Sequence, residues 1–113
     1  FNGFYCLRFN SIISGNYASN DGGGIMAFDG AHLTVTGQSS VSDNTATTQG
    51  GGGIRAARGS QITITGRSSV SSNTASPNGG GISVEGGAQV TITGQSSVRG
   101  NTATQNGGGI DAA

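Results

Sequence analysis

Apolar and polar residues alternate with a period of two along several short segments of the chain. In one of them, Ile62 and Ile64 would face one side of a strand while Thr63 and Thr65 would face the other. Stretches rich in Gly and Asn interrupt every such segment, so no helix of useful length can form. The pattern therefore predicts an all-β protein built from short strands.

The same segments recur at an almost constant spacing along the sequence. The tetrapeptide Gly-Gly-Gly-Ile recurs after 29, 28 and 28 residues, and an Asn recurs after 28, 29 and 28 residues. One additional residue is expected inside the Gly run before Ile54, where a turn can absorb it. This repetition overrules the disorder that a composition rich in Gly and Ser would suggest, and it identifies a repeat protein. The two columns are Ile25, Ile54, Ile82 and Ile110, and Asn16, Asn44, Asn73 and Asn101.

A unit of 28–29 residues fits one coil of a parallel β-helix, or β-solenoid. At roughly 3.3 Å per residue its contour is about 90 Å, enough for three short sides, and successive coils would stack about 4.8 Å apart. We expect about four coils with two or three strands each, stabilised mainly by their neighbours. The predicted inward columns are Ile25/Ile54/Ile82/Ile110, Leu33/Ile62/Val90, Val35/Ile64/Ile92, Val41/Val70/Val98 and, at a tight corner, Ala18/Ala46/Ala75/Ala103.

The chain is expected to form a single β-helix domain over residues 1–113. Residues 1–16 are interpreted as a degenerate first coil or cap, because residues 1–9 carry most of the aromatic side chains, and residues 17–113 as regular coils. Without an initiator Met, the sequence is expected to be a mature product or a piece of a longer protein.

Charge and composition exclude several classes of function. Five Arg and five acidic residues give a formal charge of zero, which removes the basic surface needed for nucleic acid or anionic lipid. The apolar runs are too short to insert in a membrane. A single Cys, isolated acids such as Asp21 and Asp29, and Gly-rich loops without a following helix predict no metal and no cofactor.

Glu85 and Asp111 are the one pair of acids that could support catalysis. Placed on adjacent coils two positions out of phase, they would lie roughly 7–8 Å apart, within the range of an inverting carboxylate pair. The alternative, which we favour, is that Glu85 enters a turn at Gly86 and pairs with Arg55 of the preceding coil. We therefore predict that the chain is not an enzyme.

His32 is interpreted as an exposed member of a polar column, and Cys6 as an inert or partly covered thiol.

The recurring asparagines have a structural interpretation. Asn side chains stacked along the axis of the solenoid can bond to one another and can satisfy backbone groups at a bend. We call the column Asn16, Asn44, Asn73 and Asn101 the asparagine ladder.

Three Thr pairs would form a regular outward surface, which we call the threonine array. Thr side chains of successive coils would be about 4.8 Å apart, and the two Thr of one strand would be about 6.7 Å apart. Cys6 and Arg8 take the equivalent places in the first coil, so the array has at most three rungs. A looser second row would contain Thr45/Thr47, Thr74/Ser76 and Thr102/Thr104. The members of the array are Thr34, Thr36, Thr63, Thr65, Thr91 and Thr93.

The threonine array is similar to the ice-binding faces of β-solenoid antifreeze proteins. In those faces, hydroxyl and methyl groups on a flat, rigid strand order water in a lattice that matches ice. The alternative is that Thr simply suits the solvent side of a strand, where stacked Thr pairs stabilise the sheet.

The pairing of an Asn motif with a Gly-rich motif resembles the repeat of the chlamydial polymorphic membrane proteins. That family alternates F-x-x-N with G-G-A-I, and similar repeats occur in bacterial and algal surface proteins. Here Val or Ile replaces the Phe, and Gly replaces the Ala. The matching segments are Val41-Ser-Asp-Asn44 with Gly-Gly-Gly-Ile54, Val70-Ser-Ser-Asn73 with Gly-Gly-Gly-Ile82, and Val98-Arg-Gly-Asn101 with Gly-Gly-Gly-Ile110.

This resemblance implies a right-handed β-helix, export to the cell surface or the extracellular space, and a role in adhesion. The expected function is a non-catalytic, rigid scaffold for adhesion or assembly, and the alternative is ice binding through the threonine array. The expected partners are a surface receptor, a matrix or like chains that stack end to end, or else ice.

Overall fold

The computed structural model describes residues 3–7 and 9–113 of the chain. Phe1 and Asn2 of the predicted cap, and Arg8, which was expected to interrupt the threonine array, lie outside the described residues. The described part contains sixteen short strands. They are β1 (Phe4–Leu7), β2 (Ile12–Ser14), β3 (Tyr17–Ala18), β4 (Ile25–Ala27), β5 (His32–Val35), β6 (Ser40–Ser42), β7 (Thr45–Ala46), β8 (Ile54–Ala56), β9 (Gln61–Ile64), β10 (Ser69–Ser71), β11 (Thr74–Ala75), β12 (Ile82–Val84), β13 (Gln89–Ile92), β14 (Ser97–Arg99), β15 (Thr102–Ala103) and β16 (Ile110–Ala112).

The strands form four parallel sheets that run along the axis of a solenoid. Every strand pairs with its equivalent in the next coil, so the first strands of the four coils form sheet I, in the order β1-β5-β9-β13. Sheet II contains β2, β6, β10 and β14, sheet III contains β3, β7, β11 and β15, and sheet IV contains β4, β8, β12 and β16. The predicted all-β fold of about four stacked parallel coils is confirmed.

Each coil contains four strands, whereas the alternation of residues predicted two or three. In the second coil only Asp43 and Asn44 separate β6 from β7, and Asp43 adopts a positive φ of 56°. This left-handed residue turns the chain sharply, so one predicted side becomes two short strands in different sheets. The two-residue strand β7 is too short to produce a recognisable alternation of its own.

The aliphatic columns form the core inside the coils. Inward side chains of the middle coils are covered by a coil on each side. Ile92 and Ile110 of the last described coil are 37% and 41% exposed, because no further described coil covers them. Burial of each coil therefore depends on its neighbours, as in other repeat proteins. The largest fully buried apolar side chains are Ile54, Ile62, Ile64, Ile82, Val35, Val41 and Val70.

The additional residue of the second coil lies before the Gly run, and its predicted position inside the run was wrong. Thr47 keeps the register of the first coil, because its N–H donates to the carbonyl of Ala18 at 3.2 Å. Register is regained where Gly50 pairs with Asp21. Between residues 19 and 21 there is one residue, but between 47 and 50 there are two. The polar segment 48–49 therefore contains the insertion.

Packing of the Gly run explains why it admits no extra residue. A Cβ atom on Gly52 would overlap the carbonyl oxygens of Gly80 and Thr74 in the next coil. Gly51 has a φ of +70°, and a Cβ atom there would come within 2.6 Å of the carbonyl oxygen of Ile54. The run thus lies directly on neighbouring backbone, and the length change occurs in the adjacent polar segment. Among the described residues, no helix has the length and apolar character needed to span a membrane.

Candidate functional site

The asparagine ladder connects all four coils through side-chain amides. In each link, one oxygen Oδ1 accepts hydrogen bonds from both the backbone N–H and the Nδ2 group of the Asn one coil earlier. The distances are 3.0 Å for both bonds from Asn16 to Asn44, 3.0 Å for both from Asn44 to Asn73, and 2.9 Å for both from Asn73 to Asn101.

Each amide of the ladder also satisfies a backbone carbonyl close to the bend. The Nδ2 groups of Asn44, Asn73 and Asn101 donate to carbonyl oxygens of the preceding coil at 3.0–3.1 Å. Asn44 and Asn73 are completely buried, and an unpaired amide at such a place would cost about 1–3 kcal/mol per group. Their full pairing makes the ladder a stabilising element rather than a defect.

The ladder restricts the third Gly of the first three Gly-Gly-Gly-Ile motifs. A Cβ atom on Gly24 would lie 2.8 Å from Nδ2 of Asn44, and one on Gly53 would lie 2.8 Å from Nδ2 of Asn73. These distances are shorter than packed carbon and nitrogen atoms allow. Gly rather than the Ala of the G-G-A-I pattern therefore suits the close approach of the two columns in this chain.

The threonine array lies on the outer surface of sheet I. Thr34, Thr63 and Thr91 are register partners in β5, β9 and β13, and Cys6 is their partner in β1. The other column comes immediately after each strand and remains in register, because the N–H groups of Thr36, Thr65 and Thr93 donate to the preceding coil at 2.8–2.9 Å. All six side chains are partly or fully exposed.

The hydroxyl groups of the array lie at one regular surface with polar borders. The hydroxyl Oγ1 of Thr93 donates to Oγ1 of Thr65 at 3.0 Å, so neighbouring rungs are in hydrogen-bond contact. One border contains the register column His32, Gln61 and Gln89. The other follows a Gly turn and includes Arg67, whose Nε donates to Oε1 of Gln95 at 2.9 Å. The arrangement is a hydroxyl-rich face whose two central columns consist of Thr in the second, third and fourth coils.

Two side chains of the first coils differ from their sequence interpretation. Cys6 is a free and exposed thiol, so the expectation of a partly covered thiol was wrong, and the expected inertness stays a prediction. His32 is half-buried, because its ring stacks on Phe4 with centroids 4.5 Å apart and an interplanar angle of 15°. The outward column that contains His32 therefore begins with the aromatic residue Phe4. Alternation of polar and apolar residues alone could not show whether Phe4 faces outward or into the core.

The second Thr row, on sheet III, is less regular than the threonine array. The hydroxyls of Thr47 and of the neighbouring Thr48 both donate to the carbonyl of Ser19. Ser76 and Thr104 bond to each other at 3.2 Å. Since several of these hydroxyls are occupied within the protein, the row offers a poorer repetitive surface for a ligand.

One acid of the pair considered for catalysis is engaged in an ion pair. Glu85 contacts the guanidinium of Arg55, so the favoured interpretation of an ion pair between adjacent coils is confirmed. Asp111 is the register partner of Ser83 in sheet IV, so it lies two positions out of phase with Glu85, as expected. Within the described ranges, no three His, Cys, Asp or Glu side chains are grouped as a metal site would require.

Apart from the ion pair with Glu85, the sequence did not indicate the environment of Arg55. Although this residue faces outward in β8, it is only 6% exposed. Its Nη1 atom lies 2.9 Å from Asp21 and donates to the carbonyl of Gln49 at 2.7 Å. One feature of the sequence could have indicated that this position is unusual: the outward column that contains Arg55 has a different residue in every coil. That column is Met26, Arg55, Ser83 and Asp111.

Comparison with known proteins gives one match, at the level of the family. No curated protein and no solved structure matches the chain. A family model described as a right handed beta helix region matches residues 1–113, which is the whole sequence. Together with the four stacked parallel sheets, this match assigns the chain to the right-handed β-helix family.

Proposed function

We propose that the chain is a rigid, non-catalytic scaffold of an extracellular or cell-surface protein. The asparagine ladder is the observation that carries this proposal, because its side-chain amides, two of them completely buried, connect every coil to the next. Such a frame holds outward side chains at fixed spacings, which suits repeated weak contacts with a surface. A fold does not imply a function. The surface location and the adhesive role therefore rest on the resemblance to the polymorphic membrane protein repeat.

The proposed partners are a surface receptor, an extracellular matrix, or like chains that stack end to end. Beads that carry the chain should adhere to matrix-coated or cell-coated surfaces more strongly than beads that carry an unrelated protein. Stacking should appear in sedimentation velocity as association that increases with concentration. Ile110→Arg should abolish it, since a charge would then lie in the partly exposed apolar interior of the last described coil. Beads that adhere no better than the control would contradict the adhesive role, and a monomer at every concentration would contradict stacking.

A second candidate function is ice binding, and the threonine array specifically favours it. Six Thr side chains in two in-register columns form a regular surface without a charged side chain inside it. Strand geometry sets its spacings at about 4.8 Å and about 6.7 Å. Fixed hydroxyl and methyl groups on a rigid sheet can hold water in one arrangement, which is the property that adsorption to ice requires.

Ice partitioning and crystal shaping would test this candidate. The double variant Thr63→Lys, Thr65→Lys places two charges in the middle rung, whereas Ser69→Lys, Ser71→Lys places the same charges on the outer face of sheet II. If the array binds ice, the parent and the Ser variant should enter and shape ice, and the Thr variant should not. Equal behaviour of both variants, or no effect of the parent on ice, would exclude the array as an ice-binding face.

A further inference from the structure

The residue that precedes each Gly-Gly-Gly-Ile motif differs between the early and the late coils. It is Asp21 in the first coil and Gly50 in the second, but Asn78 and Asn106 in the third and fourth. The structure pairs these residues as parallel bridges, Asp21 with Gly50 and Asn78 with Asn106. The last two coils therefore place two Asn-Gly dipeptides in equivalent positions, with the same residues after each Asn.

An Asn-Gly dipeptide can deamidate without an enzyme, because Gly has no side chain to obstruct its own backbone nitrogen. That nitrogen loses its proton and bonds to Cγ of the Asn, while the bond from Cγ to Nδ2 breaks and the side-chain nitrogen leaves as ammonia. Water then opens the resulting succinimide at either carbonyl carbon, which gives Asp or isoaspartate. The reaction therefore needs a Gly N–H that can lose its proton and an Asn side chain that can rotate towards it.

In the third coil, both reacting groups are engaged in hydrogen bonds. Oδ1 of Asn78 accepts from the backbone N–H of Asn106 at 3.2 Å and from its Nδ2 group at 3.4 Å. The N–H of Gly79 donates to the carbonyl of Asn106 at 3.1 Å, and Gly79 is buried. Deamidation of Asn78 therefore requires the third and fourth coils to separate locally first, which lowers its rate.

In the fourth coil, the same two groups are accessible. Asn106 is exposed, and the hydrogen bond of its side chain to Asn78 is long at 3.4 Å and correspondingly weak. The N–H of Gly107 has no acceptor among the described residues. We propose that Asn106 is a site of spontaneous deamidation in the folded protein, and that the fold protects Asn78 from the same reaction.

Modification of Asn106 changes both the charge and the backbone of the fourth coil. Either product adds a carboxylate to a chain whose formal charge is zero. Isoaspartate also adds one carbon atom to the main chain, directly before carbonyl groups that accept from Gly79, Gly80 and Gly81 at 3.0–3.1 Å. Those bonds join the Gly runs of the third and fourth coils, so isoaspartate should loosen β16 from β12. The site is separate from the threonine array, and the inference does not depend on the proposed function.

Peptide mapping by mass spectrometry after incubation of the folded protein measures Asp and isoaspartate at each site separately, including the third dipeptide Asn2-Gly3. In the folded protein, Asn106 should deamidate at least about tenfold faster than Asn78. Its rate should increase with pH, because the nitrogen of Gly107 must lose its proton. In guanidinium chloride the two rates should become similar, since the residues from each Asn to the following Ile are identical.

Asn106→Gln is the control variant, because Gln retains the amide but would have to close a less favourable six-membered ring. After the same incubation, the amides of Gly79, Gly80 and Gly81 should exchange with solvent faster in the parent, and should be unchanged in the variant. Three results would each overturn the proposal. They are an unmodified Asn106 in the folded protein, equal rates at Asn106 and Asn78 in the folded protein, and an excess at Asn106 that persists undiminished in guanidinium chloride.

Discussion

Asn73 shows how one side chain links three coils. Its Nδ2 group donates to the carbonyl of Val41 in the second coil and to Oδ1 of Asn101 in the fourth. Its own Oδ1 accepts from both the backbone and the side chain of Asn44. Since the residue is completely buried, water cannot replace any of these bonds without opening the coils.

Replacement of Asn73 by Ala should therefore destabilise the protein strongly. The substitution leaves several buried groups unpaired, so the free energy of unfolding should fall by about 2–4 kcal/mol. Asn16→Ala is the control, because Asn16 is exposed and Oδ1 of Asn44 keeps its hydrogen bond from the backbone N–H of residue 16; its effect should be less than about 1 kcal/mol. Urea unfolding followed by circular dichroism measures both values. Equal losses in the two variants would contradict the role given to burial.

Gly53 tests the close packing between the Gly runs and the ladder. A Cβ atom there would lie 2.7 Å from the carbonyl oxygen of Gly81 and 2.8 Å from Nδ2 of Asn73, so Gly53→Ala should cost about 1–3 kcal/mol. Gly109 occupies the same column in the last coil, where the nearest atom would be 3.9 Å away. Gly109→Ala should consequently be almost neutral. Thermal unfolding of the two variants compares them directly, and similar melting temperatures would refute this account.

At the scale of the strand, the position of a coil decides how much an inward side chain contributes. Ile64 in β9 and Ile92 in β13 are equivalent residues, but Ile64 is fully buried and Ile92 is 37% exposed. Ile64→Ala should cost about 3–4 kcal/mol, since it leaves a cavity between two coils. Ile92→Ala should cost about half as much, because the site is partly solvated already. Equilibrium unfolding in urea tests this difference, which would be absent if the coils were independent.

The sequence predicts the strands and columns well where the repeat is regular, and poorly where it is not. Ile62 and Ile64 could be assigned to the interior because equivalent residues recur at fixed spacings, and recurrence compensates for the ambiguity of a short strand. Burial of Arg55 could not be predicted. It depends on how the segment 48–49 and the acids Asp21 and Glu85 close around sheet IV, and these contacts occur only once in the chain. The same holds for the stacking of Phe4 on His32.

At the scale of the whole molecule, the described strands of each coil pair only with strands of neighbouring coils. Each of the four sheets joins a coil only to the one before and the one after, so stability adds along the axis in units of one interface. A middle coil has two such interfaces, whereas the last described coil has one. Local opening should therefore start at an end of the stack and proceed inward.

Native-state hydrogen exchange of the 113-residue chain should record this order of opening. Amides of β9 in the third coil are predicted to be the most protected, with exchange governed by global unfolding, whereas those of β13 should exchange through local opening at least about tenfold faster. The Asn73→Ala variant offers an internal check, because it weakens the interfaces on both sides of the third coil and should remove most of this difference. Uniform protection in the parent would mean that the four coils open as one cooperative unit. The stability of this solenoid would then not be a sum of contributions from the single interfaces between coils.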